Sequence, residues 1–337
     1  MHLQNNEQQY QVSLQAQDNY KVIDSNHQEH LAKLSGQLRA NLRLAVGDYI
    51  VGIPQQDFVL VKQLLPRKSV LQRQNSGEAQ HAQVIAANLD YIFITMSLNQ
   101  DFNLARLDRY TTLVWDSGAS PVIVLTKADL ISPELLAERQ AQVAENAFGI
   151  PILVTAQDQP EQVETIFAPY LEAEQNVAFV GSSGVGKSTL VNLLLGDNAI
   201  KTKTIRADDD KGRHTTTTRA LYVLANGAKI IDTPGIRAVG VAGVSQAATD
   251  QSFQDIVNLA QQCRFSDCQH QSEPGCAVKA AIAAGQLAPE RLVSYQKLQV
   301  ERQYDGLSSR QIEQTKVERL FKDVGGFKTF KKTLKKK

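Results

Sequence analysis

The stretch from Phe179 to Gly196, FVGSSGVGKSTLVNLLLG, constrains this chain more than any other. A short apolar run, Val177 to Val180, reads as a buried strand. It enters Gly181-Ser182-Ser183-Gly184-Val185-Gly186-Lys187-Ser188-Thr189, and an apolar-periodic helix follows. In a strand, GxxxxGK[ST] loop and helix, the glycines let backbone N–H groups turn inward and cradle phosphate oxygens. The helix N-terminus adds unsatisfied donors and partial positive charge. Lys187 then reaches the β- and γ-phosphates and supports transfer of the γ-phosphoryl group, while Ser188 ligates Mg²⁺. A nucleoside triphosphate is the ligand this predicts.

Two further motifs belong beside such a loop. Asp232-Thr233-Pro234-Gly235 closes an apolar strand, where Asp232 can hold Mg²⁺ through water and the Gly235 N–H can meet a γ-phosphate. Between them runs the polar segment Gly212 to Arg219, after Asp208-Asp209-Asp210. A threonine there, Thr216 or Thr217, completes the Mg²⁺ shell if the segment orders around γ-phosphate. A solvated loop has the same composition, and the sequence does not choose between the threonines.

Base choice is written at Thr126-Lys127-Ala128-Asp129 and Thr155-Ala156, each at the end of an apolar strand. A carboxylate at Asp129 accepts from N1 and N2 of guanine, a donor pair that adenine lacks, and leaving it unpaired makes the rejection strong. Lys127 lays its stem across the base, and the Thr155-Ala156 loop offers an N–H to O6. GTP and GDP are therefore the expected nucleotides. Thr126 stands where such sites usually carry Asn, which loses an amide able to bond guanine N7 and brace the phosphate loop. In an ordinary GTPase the base-reading motifs follow the phosphate loop; here they precede it. That is a circular permutation, allowed because the ends of such domains often lie close together.

The rest of the chain fits around this domain. With 337 residues, two or three domains are expected. The expected partition is 1–35, an extension that is either early strands or an arm; 36–87, a small β-barrel of OB type; 88–240, a doubly wound α/β domain; and 241–337, a helical module with a basic end. Leu38 to Leu44, Asp48 to Ile53 and Phe58 to Leu65 are the β-like runs behind the barrel. Arg67, Lys68 and Arg73 form a basic edge that is either a solvated strand end or a nucleic-acid contact. Lys328 to Lys337 is nearly all lysine. No apolar run approaches the roughly 18 residues of a membrane span, and the N-terminus has no secretory pattern, so a cytoplasmic monomer away from membranes is expected.

The three cysteines all fall in Cys263-x4-Cys268-x-His270-x5-Cys276. Three thiolates and one imidazole make a closed tetrahedral site, the structural kind, for one Zn²⁺. Free buried cysteines beside an incidental histidine are the alternative.

Taken together, GSSGVGKST, GRHTTTT, DTPG, TKAD and CRFSDCQHQSEPGCAV resemble the circularly permuted ribosome small-subunit-dependent GTPase A family. PRKS, Phe102-Asn103 with Leu107-Asp108-Arg109-Tyr110, and Arg291 with Ser294-Tyr295 also look like that family, and the resemblance spans roughly Gly36 to Glu301. It implies an N-terminal OB-fold, a central permuted P-loop GTPase domain and a C-terminal zinc domain. It further implies GTP hydrolysis stimulated by the small (30S) ribosomal subunit and its rRNA, in late maturation of that particle. Ile236 follows DTPG where many GTPases place a water-orienting glutamine, and His214 is the family-type candidate for that task. The rival readings are a permuted GTPase of large-subunit assembly and an RNA-binding scaffold with a vestigial nucleotide site.

Overall fold

The computed structural model describes residues 6–16, 19–36, 38, 42–73, 83–196, 219–232, 244–302, 304, 307 and 309–320. Five strands open the chain: β1 (Gln8–Ala16), β2 (Asn19–Ile23), β3 (Glu29–Leu34), β4 (Tyr49–Pro54) and β5 (Val59–Leu64). They pair in the order 1-2-3-5-4, and antiparallel pairing of β1 with β4 closes the barrel. Only β3 and β5 run parallel, as in a five-stranded OB barrel. Tyr10, Val12, Tyr20, Val22, Ile50 and Val61 fill it. The first 35 residues thus supply three of its strands. The run Leu38 to Leu44, expected to be β-like, is not a strand among its described residues. The Leu42 N–H donates to the Leu38 carbonyl at 2.8 Å, and this i, i+4 pair turns one face onto the barrel core beside buried Leu44.

A separate hairpin follows, β6 (Val70–Arg73) with β7 (Gln83–Ala87). The α/β domain then begins with β8 (Tyr91–Ser97) and continues through α1 (Leu104–Ser117), β9 (Ser120–Thr126), α2 (Pro133–Asn146), β10 (Ile152–Val154), α3 (Gln162–Phe167), β11 (Asn176–Val180), α4 (Lys187–Leu195), β12 (Arg219–Val223) and β13 (Lys229–Asp232). Its strands lie in the order β10-β9-β8-β11-β13-β12, all parallel except β12. On β8, Ile92, Ile94 and Met96 enter the core on one face, and Phe93 enters the core on the other. A strand buried on both faces reads as a continuous apolar run for this reason. Phe93, Phe167 and Phe179 pack ring to ring on the second face, with centroids 4.8 to 5.8 Å apart.

Barrel and α/β sheet are one hydrogen-bonded surface. β1 pairs with β12, Leu14 opposite Ala220, making eleven strands continuous. Beneath the junction the Gln11 amide donates to Asn176 Oδ1 at 2.9 Å, and Asn176 Nδ2 donates to the Asn88 carbonyl at 2.9 Å. Gly47, at φ 91°, lets the chains approach so closely that a Cβ there would stand 2.2 Å from the Ala87 oxygen.

The C-terminal module is helical: α5 (Gln246–Ser252), α6 (Gln254–Ala260), α7 (Ala277–Ala283), α8 (Pro289–Arg302) and α9 (Ser309–Leu320). Its core is built on Phe253, Ile256, Val278 and Leu298, and Trp115 of α1 packs against it.

Candidate functional site

The loop Gly181–Gly186 leaves β11 at the edge facing β8 and β13 and ends on α4. Gly181 is required by contact as well as conformation: at φ 143°, an added Cβ would lie 2.2 Å from the Thr95 oxygen of β8. Gly184 and Gly186 also take positive φ, 78° and 102°, and Val185 is buried beneath the loop. Lys187 Nζ donates to the Gly181 carbonyl at 2.7 Å and also to the Ser182 carbonyl. Ser183, Gly184, Ser188 and Thr189 are exposed along the loop's outer side. Parallel pairing sets Ala178 opposite Ile231, so Asp232 ends its strand alongside the approach to the loop.

The base-reading end is joined to this loop directly. Thr126 Oγ1 donates to the Val185 carbonyl at 2.6 Å, and Lys127 Nζ donates to the Gly184 carbonyl at 2.8 Å. The brace expected to be lost with the asparagine is therefore made by a hydroxyl. Lys127 adopts φ 60°, a conformation uncommon for a side-chain-bearing residue. Asp129 Oδ1 accepts the Gln157 N–H at 2.8 Å, the Thr155 N–H bonds the Leu125 carbonyl at 2.8 Å, and the Ala128 N–H bonds the Thr155 carbonyl at 3.2 Å. These bonds tie the Asp129 turn to Thr155-Ala156. With two oxygens and about four lone-pair positions, Asp129 retains the capacity to accept two more donors. A cleft of about 340 Å³ opens beside the loop, walled by Ser97, Asn99, Asp101, Lys127, Ser183 and Gly184.

Cys263, Cys268, His270 and Cys276 converge as well, with all four ligand atoms within 4.8 Å of one another. The Sγ atoms of Cys263 and Cys276 are 4.0 Å apart, and His270 Nδ1 lies 3.7 and 3.5 Å from them. A tetrahedron with Zn–S bonds of about 2.3 Å has edges of about 3.8 Å, so the donor set fits zinc and the nitrogen facing it is Nδ1. The Glu273 carboxylate accepts the N–H groups of Gln269, Gln271 and Ser272 at 2.9, 2.7 and 3.0 Å, which shapes the turn around His270. Its own backbone N–H first, and then those three, hold the Glu273 carboxyl well below its usual range, at about 2.

At the basic edge, expected to be either a solvated strand end or a nucleic-acid contact, Arg67 and Lys68 are each paired with a carboxylate. Arg67 forks onto Asp48, Nε to Oδ1 at 2.6 Å and Nη2 to Oδ2 at 2.7 Å, and Asp48 is fully buried. Lys68 Nζ reaches Asp90. His214, Thr216, Thr217, Gly235, Ile236 and Lys328 to Lys337 lie outside the described residues.

Two features had weak signals in the sequence. Arg106 of α1 donates to Ser182 Oγ in the phosphate loop and to Asp101 at 2.6 Å; a lone arginine in a helix advertises neither. Asp108 and Arg291, each inside a family-like motif, bond one another across 183 positions. The resemblance marked both residues, but nothing in either motif shows that they pair.

The sequence profile of the RsgA GTPase family matches residues 64–242. A profile for the ABC transporter matches residues 168–317, which include the phosphate loop but begin after Asp129. A protein of Lactiplantibacillus plantarum named small ribosomal subunit biogenesis GTPase RsgA 2 is 47% identical over 313 residues, 91% of this chain and 87% of that protein. One of Methanosarcina acetivorans, named small ribosomal subunit biogenesis GTPase RsgA, is 45% identical over 271 residues, 79% and 72% of the two chains. Among solved structures, YjeQ from Thermotoga maritima superposes with a TM-score of 0.69 at 25% identity, covering 88% of this chain and 99% of its own. YloQ, titled a circularly permuted GTPase, is similar in fold, with a TM-score of 0.63 at 22% identity over 90% and 97%.

Proposed function

The chain belongs to the RsgA GTPase family and is a hydrolase acting on GTP; from that premise we propose that it cleaves GTP at the loop Gly181–Thr189 while engaged with the small ribosomal subunit during assembly of that particle. One observation supports this site above others: Thr126 and Lys127 grip the phosphate loop. Asp129 is thereby held in the same turn that grips the loop, so that one nucleotide can meet both its base-reading and its phosphate-binding groups.

Lys187 releases the carbonyls of Gly181 and Ser182 to meet the β- and γ-phosphates. The loop's N–H groups take the remaining phosphate oxygens. Asp129 and the Thr155-Ala156 loop hold guanine, with the Lys127 stem across it. Water attacks the γ-phosphorus, and the new P–O bond forms as the bond to the β,γ-bridging oxygen breaks with its electron pair leaving on GDP. Ser188 and Asp232, with Thr216 or Thr217, would hold Mg²⁺, which neutralises charge on the phosphate oxygens. His214 positions the water in place of the side chain that Ile236 cannot supply, and Gly235 contacts the γ-phosphate. Cys263, Cys268, His270 and Cys276 hold one structural zinc, leaving no open position.

The partner follows from the relatives' names, small ribosomal subunit biogenesis GTPases. No helix among the described residues is long and apolar enough to cross a membrane. We place the protein in the cytoplasm as a monomer, with the barrel, the permuted domain and the cysteine module as its three units. Phosphate release by the full chain, alone and with purified small or large subunits, tests the reading. Acceleration by small subunits is expected, together with its loss in His214→Ala at unchanged GTP affinity. Acceleration by large subunits alone would move the partner, and no hydrolysis in any condition would overturn the site.

A further inference from the structure

One turn of α1 grips both the phosphate loop and α8. Arg106 reaches Ser182 in the phosphate loop and Asp101 beside it. Asp108 Oδ1 accepts from Arg291 Nη1 of α8 at 2.6 Å. Arg109 Nη2 donates to Glu301 Oε1, farther along α8. Toward its other end, Asp116 Oδ1 accepts the N–H of Ser245, the α5 N-cap, at 2.8 Å. The helix is closed at both ends, by Asn103 accepting the Arg106 N–H at 2.9 Å and by Gly118 at φ 84°. A capped, packed helix of 14 residues is a rod roughly 21 Å long.

Arg106 holds the phosphate loop where it has least slack. Gly181 is pressed against Thr95, and Lys187 holds the carbonyls of Gly181 and Ser182 from the other side. The later half of the loop is held independently, by Thr126 and Lys127. A shift of the first turn of α1 therefore either carries Ser182 with it or breaks the Arg106 contact. We infer that Arg106 is a positioning residue for the phosphate loop, and that α1 couples nucleotide binding there to the seating of the cysteine module through Asp108 and Arg109. The inference rests on the assignment of the nucleotide to this loop. Coupling of this kind is reciprocal: whatever the module's seating does to nucleotide affinity, the nucleotide does to the seating.

The test is a double-mutant cycle on the full chain, with N-methylanthraniloyl-GDP as the fluorescent probe. Glu301→Gln removes the Arg109 partner at a distance from the nucleotide, and Arg106→Met removes the grip on Ser182. Independent sites would give additive effects. The expected result is a change of roughly fivefold in probe affinity on Glu301→Gln when Arg106 is present. That change should vanish in Arg106→Met and return in Arg106→Lys, which keeps a cationic donor. The same Glu301→Gln effect on the probe in all three backgrounds, or no effect in any together with unchanged amide exchange at residues 181–183, overturns the inference. Amide exchange at residues 181–183 without nucleotide separates the two readings. If Glu301→Gln raises exchange there only when residue 106 is Arg or Lys while the probe does not respond, the coupling stands and the nucleotide assignment falls. If exchange does not depend on residue 106, the coupling falls.

Discussion

Asp108 of α1 and Arg291 of α8 meet with 2.6 Å between Oδ1 and Nη1, and only 3% of one and 6% of the other is exposed. Arg291 also forks onto Asp255, at 2.9 and 3.0 Å, and lies 4.2 Å from the Phe253 ring centroid. Asn146 of α2 donates to the same Asp108 oxygen at 2.6 Å. The two family-like motifs that carry these residues are thus the two halves of one interdomain joint. A planar guanidinium suits two carboxylates and a ring at once, and an ammonium does not. Arg291→Met should cost about 3–5 kcal/mol in urea unfolding, because it strands a buried carboxylate, while Arg291→Lys should recover only part of that.

The same joint carries a pH dependence. Burial pushes the Asp108 carboxyl from 3.8 up to about 6, against the pull of Arg291 and Asn146. Below pH 3.8 both folded and unfolded chains hold the proton; between 3.8 and about 6 only the folded chain does. This residue's contribution therefore favours folding at low pH, declines as pH rises through that window, and is flat above it. Two units correspond to about 3 kcal/mol. Asp108→Asn should flatten this part of the stability profile from pH 4 to 6, read by urea midpoints at each pH. A slope equal to wild type would assign the titration to another group.

Thr126→Val keeps the shape of the side chain and removes the hydroxyl that holds the Val185 carbonyl. A hydrogen bond of this kind contributes about 1 kcal/mol, so GDP should bind about fivefold more weakly. Thr126→Ser should bind like wild type. Equal affinities in all three would show that the loop does not need this brace.

Much of this site was legible because its chemistry fixes residue types at short spacings: glycines where N–H groups turn inward, Asp129 four residues into its motif, four zinc donors in fourteen positions. What was not legible depends on partners distant in sequence. Arg67 read as part of a basic edge, either solvated or meeting nucleic acid, but its partner is the fully buried Asp48. The early strands were ambiguous because Gln11 and Ser13 are polar yet buried; Gln11 faces the barrel's seam with the sheet, not water. Leu38 to Leu44 read as β-like because its leucines suit either period. The hydrogen bond from the Leu42 N–H to the Leu38 carbonyl, with both leucines packed on the barrel core, is set by packing and not by local pattern.

The metal site predicts one zinc per chain by elemental analysis. Cys276 also caps α7, its Sγ accepting the Lys279 N–H at 3.4 Å. Chelation should therefore raise amide exchange in α7 and α8 while β8 to β11 stay protected, since metal binding there is folding free energy for the module. Cys276→Ser should reproduce the effect. Full protection of α7 after complete removal of zinc would mean that the core around Phe253 suffices to hold the fold.

Asp129→Asn reverses the donor and acceptor pattern presented to the base. Each lost charge-assisted bond should cost about 1.5–3 kcal/mol in GTP binding, and xanthosine triphosphate should bind better than GTP. Asp129 also accepts the Gln157 N–H, which the asparagine carbonyl can still do, so the turn should survive. Unchanged GTP affinity with no gain for the xanthine nucleotide would remove Asp129 from the site.

Binding to ribosomal RNA should separate two kinds of arginine by their salt response. Arg67 is held by a fully buried carboxylate, so Arg67→Gln should destabilise the barrel by about 3–5 kcal/mol as an unpaired buried charge does. Its effect on RNA affinity should then track loss of fold. Lys68 is more exposed but engaged with Asp90, and Lys68→Gln should leave both the fold and the slope of log K against log salt near wild type. Arg264 is exposed beside Cys263, its guanidinium 5.5 Å from the ring centroid of Phe265. A cation placed there with an aromatic face offers a phosphate contact and a stacking surface together. Arg264→Gln should flatten the salt slope by about one unit at unchanged stability, as expected for one lost phosphate contact. If Lys68→Gln flattens the slope and Arg264→Gln does not, the RNA lies along the barrel edge and the Asp90 pairing opens on binding.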